Sequence, residues 1–380
     1  MEPDVNFGHF DSLDSLNKNI PFKEKLVSAH QSIKEFFPFV ARIAIALYDP
    51  KTSVLKTFVH SSGDEIPLSN YQTTLNNAPS LKEILDKRRP RIVNNMVTFE
   101  DGKHEHTVRL GRQGYAASYT MPMFHNGVFF GFIFFNSAEE NVFKQELLNQ
   151  FDVYGHLLSL MVINEMSAID TLTAAVMTTG NITHMRDPET GSHLDRMSRY
   201  ARLIATTLAD KYKLDDDYIE HIFMFSPLHD IGKIGIPDSI LLKESSLTDK
   251  ETAIMHTHAQ KGHEMIDDLL KNFNLKSFES ASVLRNIALF HHEDINGKGY
   301  PEGRKGDSIP LEARIVAVAD VFDALTSKRP YKEAWSNEEA FATLNKLAGE
   351  KLDNDCVKAL IANEVEILKI QALFREDSYG

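Results

Sequence analysis

Five short stretches place imidazoles and carboxylates at spacings suited to holding divalent ions or moving a proton. They are DPETGSH (187–193), SPLHDIGKIGIPD (226–238), MHTHAQKGH (255–263), HHEDINGKGYP (291–301) and IPLEARIVAVADVFDALTSKRPYK (309–332). Nine of the 16 histidines fall between His184 and His292, which directs attention to the second half of the chain. In the first stretch Glu189 and His193 are four apart, so a helix would set both on one face. Asp187 followed by Pro188 also reads as a helix cap with its first-turn partner. In the second, His229 and Asp230 follow the apolar Ile222, Phe223, Phe225 and Leu228. Adjacent helical residues point about 100° apart, so this pair cannot easily meet one ion. They can serve together if the carboxylate bridges two ions and the imidazole completes the shell of one. Lys233 is near enough in sequence to project into the same cavity.

In the third stretch His256, His258 and His263 compete, and spacing alone does not choose among them. In the fourth, the same angular argument makes the adjacent His291 and His292 suit two different ions better than one. In the fifth, Asp320 interrupts an almost wholly apolar helix and Asp323 lies one turn later. A charge in that setting needs a counter-ion, for which a metal is the obvious candidate. Any one stretch alone is also what a capped helix end or a hydrogen-bonded core histidine looks like. Together they put carboxylates and imidazoles, with no thiolate, on several helices, which is how carboxylate–histidine metal centres are built.

The elements that must position these residues read as a helical bundle. From Thr171 onward, helical patterns near residues 193–210, 217–229, 250–270, 280–292, 311–326, 336–348 and 354–369 are separated by short polar or Gly/Pro turns. The first half reads as α+β. A helix over 22–37 leads into RIAIALYDP, where Ile43, Ile45 and Leu47 alternate; a second helix covers 80–88. Asn126-Gly127 between two apolar runs predicts a hairpin, because both residues accept positive φ. A long helix over about 142–177 connects the halves, either as the first core helix of the second or as a dimerising signalling helix. His104 and His106, in a charged loop, are read as solvated.

At 380 residues two domains are expected. A net charge of −13 argues against binding a nucleic-acid polymer, which depends on lysine and arginine at the phosphates. The single cysteine, Cys356, and a start without a basic-then-apolar leader point to a reducing cytoplasm. VFFGFIFF (128–135) is too short to span a bilayer, so no membrane insertion is expected.

Two resemblances follow from these residues. RIAIALYDPKT and ASYTMPMFHNGVFFGFIFFNS, with the order of elements, make residues 22–163 resemble a GAF domain, after an extension over 1–21. HDIGKIGIPD, the HHE…GYP stretch and ARIVAVADVFDALTSKRPYK make residues 170–370 resemble an HD-GYP domain of the HD phosphohydrolase superfamily. That resemblance implies an all-α fold with two or three divalent ions, most often iron or manganese. It also implies phosphodiesterase hydrolysis of a cyclic dinucleotide, usually cyclic di-GMP, to pGpG, GMP or both. Carried over by motif, the metal ligands would be Glu189, His193, His229, Asp230, His258, His291, His292 and Asp320. The phrase Met255, His258, Gly262 selects His258, and Glu189 would go with a third ion. Lys233 would lie beside the scissile phosphate, with Asp187 and Asp323 as supporting carboxylates. Tyr300, Arg329 and Lys332 would contact the dinucleotide.

Ile295 stands where the family often has an aromatic residue, Asn296 where it often has an aspartate, and KESSLT before Glu251 is less regular than usual. These departures touch substrate preference. The GAF-like part implies a sensor or homodimerisation module acting through the long helix. A GGDEF-type synthase is an implied partner for the GYP surface. The alternatives are a phosphodiesterase for another cyclic dinucleotide such as cyclic GMP-AMP, an HD nucleotidase acting on a mononucleotide, or a non-hydrolytic cyclic di-GMP receptor or docking module.

Overall fold

The structure, a computed structural model, describes residues 9–18, 20–62, 72–96, 114–184, 191–272, 281–327 and 333–375, with side chains between 168 and 191 not described. It divides into two compact units, Met1–Met166 and Ser167–Gly380.

The first unit is a six-stranded antiparallel sheet with helices on both faces. Its strands are β1 (Arg42–Asp49), β2 (Val54–Ser61), β3 (Gln72–Thr74), β4 (Arg91–Val93), β5 (Ala117–His125) and β6 (Val128–Ser137), ordered β3-β2-β1-β6-β5-β4. The two-residue period sorts the side chains. Ile43, Ile45, Ile133 and Phe135 face one core, shared with helix α1 (Phe22–Phe36) and the start of the long helix. Ala44, Phe132 and Phe134 face the other, beneath α2 (Pro79–Lys87). The β5–β6 hairpin turns at Asn126 and Gly127, whose φ values of 50° and 81° are both positive as the dipeptide predicts.

The connecting helix, α3, runs Gln145–His184. It begins later than the apolar pattern suggests because Asn94 clamps the preceding segment. Asn94 Oδ1 accepts from the Phe143 N–H at 3.1 Å, and its Nδ2 donates to the Phe143 carbonyl at 3.2 Å. Among the described residues no helix is long and apolar enough to cross a membrane.

In the second unit the described elements are almost wholly helical: α4 (Gly191–Tyr212), α5 (Asp216–Phe225), the short α6 (Asp238–Leu241), α7 (Asp249–Asn272), α8 (Ala281–Phe290), α9 (Leu311–Thr326), α10 (Asn337–Leu347), α11 (Asn354–Ile361) and α12 (Glu364–Leu373). On α4, Met197, Tyr200, Ala201, Ile204, Ala205 and Leu208 recur at three- and four-residue spacing and are all buried. Ten of the sixteen residues of α9 are buried, as its apolar run requires.

Two expected helices end early, and both endings matter for chemistry. The segment expected over 217–229 stops at Phe225 and passes into tight turns over Ser226–Leu228 and Ile231–Gly235. Pro227 in that run cannot donate a backbone N–H, so the helix gives way there. Gly232 then lies against α7 so closely that a Cβ would sit 1.9 Å from the His258 carbonyl oxygen. The helix expected to reach 292 stops at Phe290, leaving His291 and His292 in a turn.

Helix α7 starts with a reciprocal cap. Glu251 Oε2 accepts from the Thr248 N–H at 2.8 Å, and the Glu251 N–H donates to Thr248 Oγ1 at 3.4 Å. The irregular KESSLT segment is thus closed at both ends by Glu251, since Lys243 Nζ also reaches that oxygen, at 2.6 Å. Lys243 and the Thr248 donors hold the carboxyl at about 2, below its ordinary 4.5. A value depressed by folding means that the cap stabilises this unit fully above pH 4.5 and is lost as pH falls toward 2. Glu251→Gln is therefore expected to lower the unfolding temperature at neutral pH, by a margin that shrinks as the solution is acidified across that window. Thermal unfolding followed by circular dichroism checks this, and a margin independent of pH would refute the cap's role.

Candidate metal centre and active site

Three helices and two turns bring the predicted residues together. His193 comes from α4, His258 from α7 and Asp320 from α9; His229 and Asp230 come from the turns after α5, and His291 and His292 from the turn after α8. They fall into two sets whose ligand atoms lie within 4.8 Å of one another: Asp230, His258, His291 and His292 in one, and His193, His229 and Asp320 in the other.

Asp230 stands between the sets. Its Oδ2 is 3.2 Å from His229 Nε2, while its Oδ1 is 3.2 Å from His258 Nε2 and 3.5 Å from His291 Nε2. In the second set Asp320 Oδ1 lies 3.9 Å from His193 Nε2 and 4.0 Å from His229 Nε2. The residues expected to divide between two ions are therefore divided, with one correction. His291 and His292, assigned from their adjacency to different ions, lie in the same set with ring centroids 4.0 Å apart. The angular argument assumed a helix under both residues, and the helix has already ended.

The chemistry of the donors fits divalent cations. Nδ1 of His229, His258 and His291 lies 2.9, 2.8 and 2.9 Å from the carbonyl oxygens of Ser226, Met255 and Ile287. A carbonyl only accepts, so each Nδ1 carries a proton and each ring turns its Nε2 toward its cluster. Among the described residues, the buried Asp230 Oδ1, His258 Nε2 and His291 Nε2 make no hydrogen bond despite their proximity. Burial pushes His291 below its ordinary pKa; burial and then the neighbouring His291 do the same for His292. For Asp230 burial acts upward, but Lys233 and His229 outweigh it and hold the carboxyl well below the usual range. Lys233 Nζ is 2.8 Å from Asp230 Oδ2, where the sequence reading places it. The set thus combines carboxylate oxygens with imidazole nitrogens, a donor set suited to borderline divalent metals. Cys356 is buried in α11 and belongs to neither set.

Asp323 differs from the expectation of a metal counter-ion. It is fully buried, and its charge is met by Arg196, whose Nε and Nη2 donate at 2.7 and 2.9 Å. Ser327 Oγ donates at 2.9 Å, and His193 Nδ1 lies 2.7 Å from Oδ2. Asp323 thereby orients the His193 ring. Arg196 was not singled out from sequence, although its place one turn after His193 is the signal that could have found it.

The GYP loop is tied to the same centre. Glu293, buried, accepts the Glu302 and Arg304 N–H groups at 2.7 and 2.8 Å and so closes the loop on itself. Gly299 packs so tightly that a Cβ would lie 2.2 Å from the Asp294 nitrogen, and the Tyr300 N–H donates to the His292 carbonyl at 3.1 Å. Tyr300 is thereby brought beside His292, ring centroids 4.8 Å apart. Ile295 packs on Leu289, Phe290, Ile309 and Ala313, and Asn296 Nδ2 donates to Glu350 Oε2 at 3.1 Å, so both family departures hold the loop in place. Asp187, Glu189, Arg329 and Lys332, like His104 and His106, lie outside the described residues or side chains.

Asp323→Asn is expected to cost about 3–5 kcal/mol, because it leaves the Arg196 guanidinium buried without its counter-charge. Urea unfolding of the two proteins measures this, and a loss below about 1 kcal/mol would mean the pair is not buried as described.

Comparison with known proteins agrees with this geometry. Residues 184–356 match the family model described as HD domain. The chain is 45% identical over 189 residues to "Cyclic di-GMP phosphodiesterase response regulator RpfG" of Xanthomonas campestris pv. campestris, covering 50% of this chain and 47% of that one. It is 38% identical over 192 residues to a "Cyclic di-GMP phosphodiesterase" of Thermotoga maritima, covering 50% and 48%. It is 35% identical over 255 residues to "3'3'-cGAMP-specific phosphodiesterase 2" of Vibrio cholerae, covering 63% and 47%. The chain spans about half the length of these curated relatives. A solved GAF domain from an Acinetobacter phosphoenolpyruvate-protein phosphotransferase aligns over 41% of this chain and 90% of its own, at 11% identity and a TM-score of 0.34. Both candidate clusters lie inside the segment that matches the HD domain model.

Proposed function

We propose that the chain is a metal-dependent phosphodiesterase that opens cyclic di-GMP to linear pGpG, GMP or both. The observation that carries this reading is the single carboxylate of Asp230 set between two imidazole-rich clusters, with a lysine and the GYP tyrosine beside it. Curated relatives at 38 and 45% identity that bear the name cyclic di-GMP phosphodiesterase support the choice of substrate.

Divalent ions held by His193, His229 and Asp320 and by Asp230, His258, His291 and His292 would supply Lewis acidity toward a phosphoryl oxygen and the attacking water. Iron or manganese suits this oxygen and nitrogen donor set. The protein's own share is to keep these donors dehydrated, correctly protonated and aimed. The backbone carbonyls behind His229, His258 and His291 fix which nitrogen faces the site. Lys233 places a positive charge at the edge of the Asp230 cluster, where it stabilises negative charge growing on the phosphate. Burial and then the nearby Asp230 raise the Tyr300 phenol, which stays a hydrogen-bond donor across the neutral range. Glu189 belongs to the proposal as the ligand of a third ion, Asp187 as a supporting carboxylate, and Arg329 and Lys332 as contacts to the dinucleotide.

A second reading, cyclic GMP-AMP as substrate, is favoured by the 35% identity to the Vibrio cholerae phosphodiesterase named for it. Asp230→Ala is expected to remove metal loading and turnover together, with kcat/KM falling at least about a thousandfold. Elemental analysis and hydrolysis of cyclic di-GMP and cyclic GMP-AMP side by side read the result. A metal-free variant that still cleaved either nucleotide would end the proposal, and a wild-type preference for cyclic GMP-AMP would move it to the second reading.

A further inference from the structure

His256, one of three histidines that spacing could not rank, lies flat against Tyr300. The ring centroids are 3.7 Å apart and the planes 8° from parallel. His258, two residues along α7, meets the same tyrosine only edge-on, with centroids 6.1 Å apart at 84°. The backbone beneath Tyr300 is held by the His292 carbonyl, the crowded Gly299 and the Glu293 clasp. What the backbone does not settle is the rotation of the phenol ring about its own side-chain bonds. The nearest and most nearly parallel of the rings packed on it is His256.

We infer that His256 is a positioning residue for the substrate, acting through Tyr300: its flat face holds the tyrosine ring where that ring lies beside His292 of the Asp230 cluster. This rests on the proposed function for the identity of the substrate. The stack itself does not depend on it. A residue acting this way contributes to binding the dinucleotide and little to the chemical step, and any flat ring can take its place.

Steady-state hydrolysis of cyclic di-GMP by full-length His256→Ala and His256→Phe tests the inference. Loss of a ring stack worth about 1 kcal/mol should raise the KM of the alanine variant by about five- to tenfold, with kcat within about twofold of wild type. Its metal content should match that of the wild type, and the phenylalanine variant should recover most of the KM. An unchanged KM in His256→Ala overturns the inference. So does a fall in kcat at constant KM, or a His256→Phe variant as poor as alanine, since each would give the role to a ring nitrogen or to nothing. A wild-type protein inactive on cyclic di-GMP would count against the proposed function; the stack would then be decided by nuclear magnetic resonance. In the full chain the His256 ring protons should resonate upfield under the Tyr300 ring current and return downfield in Tyr300→Leu, and resonances indifferent to that substitution would overturn the stack.

Discussion

A carboxylate drawn out of water and ringed by imidazoles keeps its charge only if positive charge faces it. Withdrawing such an ion costs several kcal/mol, more than a hydrogen bond or two restores. Asp230 is that carboxylate here, and Lys233 at 2.8 Å is the positive charge the chain itself provides. The remaining capacity of Asp230 lies on Oδ1, which is buried without a hydrogen bond and faces Nε2 of both His258 and His291. That arrangement makes sense as the shared wall of a two-cation site, because cations satisfy the lone pairs that neighbouring neutral imidazoles cannot.

Support for this point radiates outward through groups that never reach substrate. Ser226, Met255 and Ile287 lend backbone carbonyls that fix three tautomers. Arg196 and Ser327 hold Asp323, and Asp323 holds His193. Gly232 lets the turn carrying Asp230 press against the backbone of α7, where any side chain would push the carboxylate away from His258. On the opposite side Glu293 converts the segment after His292 from a chain end into a closed loop. The cluster-facing and structural parts of HHEDINGKGYP are thus interleaved: two histidines belong to the cluster, the glutamate binds the loop, and the tyrosine lies beside His292.

Much of this was legible before any coordinates. Residue type pointed to a carboxylate–imidazole centre in the second half, and the family resemblance at Met255, His258 and Gly262 selected His258 over His256 and His263. The alternation of Ile43, Ile45 and Leu47 and the Asn126-Gly127 turn located the sheet. What failed, failed where a helix was extended past its physical end. Pro227 and the turn after Phe290 release His229, Asp230, His291 and His292 from helical geometry, so an argument built on 100° per residue misassigned the adjacent histidines. The Asp323–Arg196 pair was not read from sequence because its two members lie on different helices more than a hundred residues apart. His256 was passed over because a ring stack, unlike a metal ligand, has no characteristic spacing.

The central claim is that the two clusters hold catalytic cations. It is tested most directly by elemental analysis of the anaerobically purified full chain, with the same sample assayed on cyclic di-GMP before chelation, after chelation and after metal is returned. About two or three iron- or manganese-class ions per chain are predicted, with turnover lost on chelation and recovered on return of the metal. Undiminished hydrolysis by a chain stripped of metal would contradict the account.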